Sequence, residues 1–267
     1  MCVSVSAPVN GELDHPTKKI IVISARVHPG ETNASWMMRG FLFFITSQQP
    51  EAVALRKNYV FKLIPMINPD GVAVGNYRCS LAGLDLNRQW INPKKSVTPC
   101  VYAVKRLLVQ YRQRILMYCD LHGHSRKRGA FFYGCESPDY RERHLPFVFD
   151  QMTDLFDADK CSYGISKSKA GTARVVSFSE IGLTFAYTLE ASFAGPSGRN
   201  IHYSTSTLEQ IGTALGKAIY AWQQVTSGFV RSVSVLARFS FGNHTPFALS
   251  TVSVLSVLSV SRSIDRA

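Results

Sequence analysis

Three short segments hold the residue types that do chemistry: His28-Pro29-Gly30-Glu31, Asp85-Leu86-Asn87-Arg88 and Asp120-Leu121-His122. The first offers an imidazole and a carboxylate three residues apart, the last a second imidazole, and the middle one a guanidinium beside an amide. A catalytic zinc takes three protein ligands and keeps one position for water, and two histidines with one glutamate form such a set. A guanidinium is the bidentate donor that a free carboxylate calls for. Together the parts describe a zinc hydrolase that grips a carboxylate-bearing substrate.

Each residue also has a plainer reading. Polar residues three apart are common on helix faces, but Pro29 and Gly30 bar a regular helix through this pair. A histidine ending an apolar strand is often a hydrogen-bonded core residue. At His122, Asp120 shares its strand face and Gly123 leaves room for a close approach. His124 competes with His122 as third ligand, although its place after the glycine argues that it lies off the strand. Arg88 would ordinarily be a surface ion pair, and its position beside Asn87 in an otherwise uncharged turn favours the clamp.

The elements that position these residues are legible in part. Lys19 to Val27 is a β-branched run of the kind found in a central strand, and His28 sits at its end. Helical periodicity follows through Trp36, Met37, Gly40, Phe41, Phe44 and Ile45. A strand from Tyr59 to Met66 runs into a turn at Asn68-Pro69-Asp70-Gly71. Residues 76–93 read as a long functional loop, Pro99 opens a basic helix through Arg114, and Ile115 to Leu121 is a buried strand. Pro138 to Phe156 reads as helical, Lys167 to Arg174 as a basic loop of small residues, and Thr184 to Glu190 as a strand. Ser206-Thr207-Leu208-Glu209 has the form of a capping box opening a last helix that ends near Gly228. This alternation predicts an α/β fold, a mixed, largely parallel sheet flanked by helices, with the motifs at strand ends. Residues 1–18 are expected to be a disordered lead, 19–228 the catalytic domain, and 229–267, with the Ser/Val-rich stretch Ser250 to Ser261, a tail outside it.

With 267 residues, 46% hydrophobic and 18% charged, the chain has the composition of a folded α/β domain. Thirty Lys and Arg against 18 Asp and Glu give +12, which favours an acidic partner. No nucleic-acid-binding motif accompanies that charge, so an acidic peptide or protein tail is the better fit. The six cysteines form no CxxC pair, which favours reduced thiols and the cytosol. No signal peptide and no run of about 18 apolar residues is present, so no membrane partner is expected.

The motifs His28 to Glu31, Asn68-Pro69-Asp70-Gly71-Val72, Asn76 to Gly83, Asp85 to Arg88, Asp120 to Ser125 and Tyr187-Thr188-Leu189-Glu190 occur in the order seen in zinc metallocarboxypeptidases. The wording resembles most the cytosolic carboxypeptidase branch, which removes glutamates from tubulin and other proteins, and the match covers roughly residues 19–225. The resemblance implies one Zn2+ per chain held by His28, Glu31 and His122, with Asp85 orienting a zinc-bound imidazole. It implies that Asn87 and Arg88 grip the terminal carboxylate, that Arg78 steadies the scissile carbonyl oxygen, and that Glu190 is the catalytic glutamate. A carboxylate at Glu190 can accept the proton of an attacking water and return it to the leaving amine. An acidic substrate side chain needs a basic pocket, for which Lys169 and Arg174 are the candidates.

The expected function is therefore zinc-dependent removal of glutamates from acidic, tubulin-like C-terminal tails in the cytoplasm, with association to microtubules as a further expectation. The alternatives are a truncated inactive homologue that binds acidic tails, or a zinc amidohydrolase of acylated amino acids, which intact Asn87-Arg88 and the wording of His28-Pro29-Gly30-Glu31 disfavour. Three departures from the family stand out. Only 27 residues precede His28, so an N-terminally truncated domain lacking early strands is expected. The stretch Ser166 to Thr172 lacks the tyrosine of digestive-type enzymes, and residues after Gly228 match nothing in the family.

Overall fold

The computed structural model describes residues 1–198 and 200–226, and the tail expected over 229–267 lies outside the described residues. In chain order the elements are β1 (Val3–Val5), β2 (Lys19–Ala25), α1 (Thr32–Thr46), α2 (Pro50–Asn58), β3 (Tyr59–Ile64), α3 (Pro69–Ala73) and α4 (Pro99–Gln110). There follow β4 (Ile115–His124), β5 (Ala130–Tyr133), α5 (His144–Asp150), α6 (Ala173–Ser179), β6 (Phe185–Ser192) and α7 (Thr205–Thr226). The strands form one six-stranded sheet in the order β1-β3-β2-β4-β6-β5. The inner four run parallel and the two edges antiparallel, the mixed, largely parallel arrangement expected.

Helices cover both faces, which is why the central strands read as unbroken apolar runs. Ile21, Ile23 and Ala25 of β2 pack with Met37, Phe41 and Phe44 of α1 and Ile211, Leu215 and Ile219 of α7. Ile20 and Val22 pack on the opposite face with Val101, Val104 and Leu108 of α4 and Val176 of α6. Helices α1 and α7 approach so closely that a Cβ at Gly40 would strike the Glu209 carbonyl, and one at Gly212 the Met37 carbonyl. Among the described residues no helix is long and apolar enough to cross a membrane.

Several expectations need correction. Residues 1–18 are not a disordered lead: Val3–Val5 pairs in register with Phe61 to Leu63. Asp14 accepts from Lys62 Nζ at 2.6 Å and from an Arg114 guanidinium nitrogen at 2.9 Å. The polar composition there serves these pairs. Helix α2 was not anticipated, because it is opened by Pro50 and buries only Ala52 and Leu55. The helix expected over Pro138 to Phe156 shrinks to His144–Asp150, since Tyr140 takes a left-handed conformation (φ 55°) that interrupts it. The cap of α7 lies two residues earlier than expected. Ser204 Oγ accepts from the Thr207 N–H at 3.2 Å, and Thr207 Oγ1 accepts from the Ser204 N–H at 2.7 Å. Strand β5, an edge strand of four residues, also carried no clear signal.

Candidate active site

The chemistry gathers where the parallel strands end, the usual ligand edge of an α/β sheet. After β2 the backbone turns through Arg26, whose φ of 58° is left-handed, and brings His28 over the sheet edge. Arg26 Nε donates to the Pro29 carbonyl at 2.7 Å. The Gly30 N–H donates to the Tyr77 carbonyl at 2.7 Å, and a Cβ on Gly30 would strike the Tyr77 ring. The turn is thereby stapled to the loop over residues 76–93, and Glu31 enters just before α1. On β4 and β6, His122 stands in register with Glu190. Leu121 and Leu189 belong to the α1–α7 core, so alternation puts Asp120, His122 and Glu190 on the opposite face.

His28 Nδ1 lies 2.7 Å from Glu31 Oε1 and His122 Nδ1 lies 2.9 Å from Glu31 Oε2. The other ring nitrogens are both committed: His28 Nε2 donates to Asp85 Oδ1 at 3.0 Å and His122 Nε2 to Asp120 Oδ2 at 2.8 Å. Asp120 is fixed in turn by Ser24 Oγ, which donates to Oδ1 at 2.7 Å. A proton held on Nε2 leaves a lone pair on Nδ1 of a neutral ring. Two such lone pairs facing one carboxylate repel it unless positive charge lies between them. His28 Nδ1 is moreover buried without a hydrogen-bond partner, its approach to Glu31 being close but wrongly angled. The three donor atoms lie within 4.8 Å of one another. Donor types, tautomers and convergence all fit a divalent zinc.

The titration behaviour follows. Burial alone would raise the Glu31 carboxyl, but the His122 and His28 rings outweigh it and hold Glu31 well below the usual carboxylate range. Burial would likewise lower His122, but Asp120 and Glu31 keep it protonated well above its ordinary value. The proton supplies the positive charge that this cluster is built to hold.

Glu190 behaves oppositely. Burial pushes its carboxyl up to about 7, against the pull of the His122 and His28 rings. Its Oε2 is buried with no hydrogen-bond partner. A carboxyl so placed can exchange a proton near neutral pH.

The remaining expected residues divide. Asp85 Oδ2 accepts from Arg78 Nε at 2.9 Å and from a second Arg78 nitrogen at 2.7 Å, with Arg88 3.9 Å away. Asn87 is buried, its Oδ1 accepts the Ala173 N–H at 3.0 Å where α6 begins, and its Nδ2 lies 3.4 Å from His122 Nε2. Arg88 donates to the Asn87 carbonyl at 2.8 Å. Lys169 sits in a single 3-10 turn, Lys167–Lys169. Burial and the Arg88 and Arg78 charges lower its ammonium pKa, with Glu190 and Asp85 opposing, so it stands among these groups. Arg174, expected in the loop, lies instead in the first turn of α6 and is buried. It donates to the Gly134 carbonyl and to Cys135 Sγ, and among the described residues no carboxylate lies within ion-pair distance of it. His124, expected off the strand, is the last residue of β4. Its Nδ1 accepts from the Arg126 and Lys127 N–H groups at 3.1 and 3.0 Å.

Residues 2–219 match the family model described as zinc carboxypeptidase. The chain belongs to the zinc carboxypeptidase family. It is 42% identical over 234 residues to cytosolic carboxypeptidase 1 of Danio rerio, an alignment covering 79% of this chain and 20% of that protein. It is 44% identical over 221 residues to cytosolic carboxypeptidase 2 of Mus musculus, covering 78% of this chain and 25% of that protein. The chain thus spans a quarter or less of the length of these two curated relatives. Among solved structures, a metallo-carboxypeptidase from Burkholderia cenocepacia shares the fold, with a TM-score of 0.72 at 24% identity, covering 84% of this chain and 61% of that one.

Membership of a zinc carboxypeptidase family agrees with the donor set, which selects His122 and leaves His124 out of the cluster. Sequence reasoning undervalued Asp120, which holds the His122 ring as Asp85 holds the His28 ring. The signal was present: a carboxylate two residues before a histidine on one strand face.

Proposed function

We propose that this chain is a zinc-dependent metallocarboxypeptidase that removes glutamates from acidic protein tails of the tubulin type. The observation that carries the reading is the convergence of both Nδ1 atoms on Glu31, that of His28 without a hydrogen-bond partner, with the unpartnered Oε2 of Glu190 beside His122. When bound, zinc lowers the pKa of its water toward about 7 and polarises a carbonyl. His28, Glu31 and His122 would hold it, with Asp85 and Asp120 fixing the rings. Glu190 takes the proton of the attacking water and passes it to the leaving amine. The Asn87 amide and the Arg88 guanidinium grip the terminal carboxylate, while Arg78, braced on Asp85, faces the scissile carbonyl oxygen.

The acidic preference rests on Arg174 and Lys169. A buried guanidinium normally has a counter-ion, and among the described residues Arg174 has a carbonyl and a thiol but no carboxylate. A substrate carboxylate would complete it, with Lys169 adding attraction, as the net charge of +12 does at longer range. A cytoplasmic, microtubule-associated setting suits such a substrate, and the named relatives are cytosolic carboxypeptidases. The test is metal analysis of the purified chain together with glutamate release from a polyglutamate peptide. Close to one zinc per chain and steady release are expected. Zinc and peptide binding without release would instead make it a binding homologue.

A further inference from the structure

The connection between β4 and β5 carries a second set of cations that the reading above does not use. Arg126, Lys127 and Arg128 are all exposed. Among the described residues none has a carboxylate within ion-pair distance. Nearby Asp157 is taken by Lys160 and Glu136 by Arg143. The segment is nevertheless held at both ends. His124 Nδ1 accepts the Arg126 and Lys127 N–H groups at its start. At its exit Lys160 Nζ donates to the Arg128 carbonyl at 3.0 Å, and the Gly129 N–H donates to the Gly195 carbonyl at 2.7 Å.

Its position is set by the sheet. Phe131 stands in register with Glu190, and Phe132 points the other way, onto Tyr187 and Phe149. Phe131 and Tyr133 therefore share the Glu190 face. Lys127 Nζ lies over both rings, 4.9 Å from the Phe131 centroid and 5.2 Å from that of Tyr133. The ammonium is thus braced by cation–π contact beside the proposed reaction centre. Loops that hold charges in place before binding lose less entropy when a ligand arrives.

We propose that Arg126, Lys127 and Arg128 form a subsite for the acidic side chains preceding the residue removed, so that the cleft reads a run of carboxylates rather than one. This rests on the carboxypeptidase reading. A terminal glutamate presents two carboxylates, and Asn87 with Arg88, and Arg174 with Lys169, already answer those. The cations of the β4–β5 connection come from a different loop and are left for the residues upstream.

The test uses the zinc-loaded chain and two peptides ending in glutamate, one preceded by neutral residues and one by a run of glutamates. In the triple variant Arg126→Ala, Lys127→Ala, Arg128→Ala, kcat/KM on the run peptide should fall about tenfold, the order that three exposed charge pairs support. The change should lie in KM, and cleavage of the other peptide should be unaltered. A surviving preference for the run, or an equal loss on both peptides, overturns the proposal. Binding of the labelled run peptide, followed by anisotropy in a Glu190→Gln background, separates the two readings. If the parent chain released no glutamate the carboxypeptidase reading would fail, while weaker binding by the triple variant would still support the subsite and unchanged binding would reject it.

Discussion

The proposed metal side and the proposed substrate side of this site are held in different ways. His28, Glu31 and His122 leave 5%, 11% and 3% of their side chains exposed, and each ring has its second nitrogen on a carboxylate. Arg78 and Arg88 leave 43% and 31% exposed and share the single carboxylate of Asp85. Ligands for a metal must stand in fixed geometry, because each degree of freedom lost on binding weakens affinity. Cations awaiting a carboxylate are better left partly in water, where an exposed pair costs little to exchange. Arg174 is the exception on the proposed substrate side, buried and, among the described residues, without a carboxylate, and there burial should sharpen selectivity.

The largest effect expected from breaking this arrangement is at Glu190. Glu190→Gln should retain fold and zinc, yet lose turnover by several orders of magnitude, since acid and base duties each contribute roughly 10²–10⁴. Turnover and zinc content measured on one preparation decide it, and near-normal turnover would remove Glu190 from its role.

Metal retention comes next. His122→Ala should abolish it and His124→Ala should largely preserve it, because the His124 ring nitrogen is spent on its own turn. Asp85→Ala and Asp120→Ala should each weaken zinc affinity by about 10–100-fold, the usual consequence of releasing a ligating ring. Competition with a chelator measures all four. If the Asp120 variant binds zinc as the parent does, the symmetry between the two rings has no functional weight.

The metal side was the more legible of the two in sequence. Pro29 and Gly30 between its first two ligands, and Asp120 before His122, are local patterns with local physical reasons. The substrate side was less so, because its contacts join distant segments: Asn87 to Ala173, Arg174 to Gly134. The placement of Arg174 on a helix rather than a loop follows from Thr172, whose side chain accepts the Val175 N–H, a cap hidden among small residues. In the fold, β-branched central strands declared themselves. Strand β1 and helix α2 did not, since their burial comes from partners far along the chain rather than from their own periodicity.

Specificity variants sharpen the comparison further. Arg88→Ala should reduce kcat/KM about 10–100-fold on every peptide, as loss of a hydrogen bond to a charged group does. Lys169→Glu and Arg174→Gln should instead reduce the ratio between glutamate-ending and neutral-ending peptides, by about tenfold each. Should both variants keep that ratio, acidic selectivity arises elsewhere.

The smallest effect concerns stability and runs opposite to catalysis. Glu190 has an ordinary value near 4.5 and is pushed to about 7 by burial. Between those values the folded, zinc-free chain binds more protons than the unfolded chain. The stability from this group is therefore present at low pH and lost as pH rises through the window. Glu190→Gln removes the buried charge, which at pH 8 opposes folding by up to about 3 kcal/mol. Part of that gain, about 1 kcal/mol, is given back because the new amide also lacks a partner. The variant should thus be more stable than the parent by about 1–2 kcal/mol at pH 8. At pH 4, where the parent carboxyl is protonated and only the amide penalty remains, the variant should be the less stable by about 1 kcal/mol. Urea denaturation of the zinc-free chains at both pH values measures it. An equal advantage at both would mean that packing, and not the buried charge, sets the cost of keeping a carboxylate beside His122.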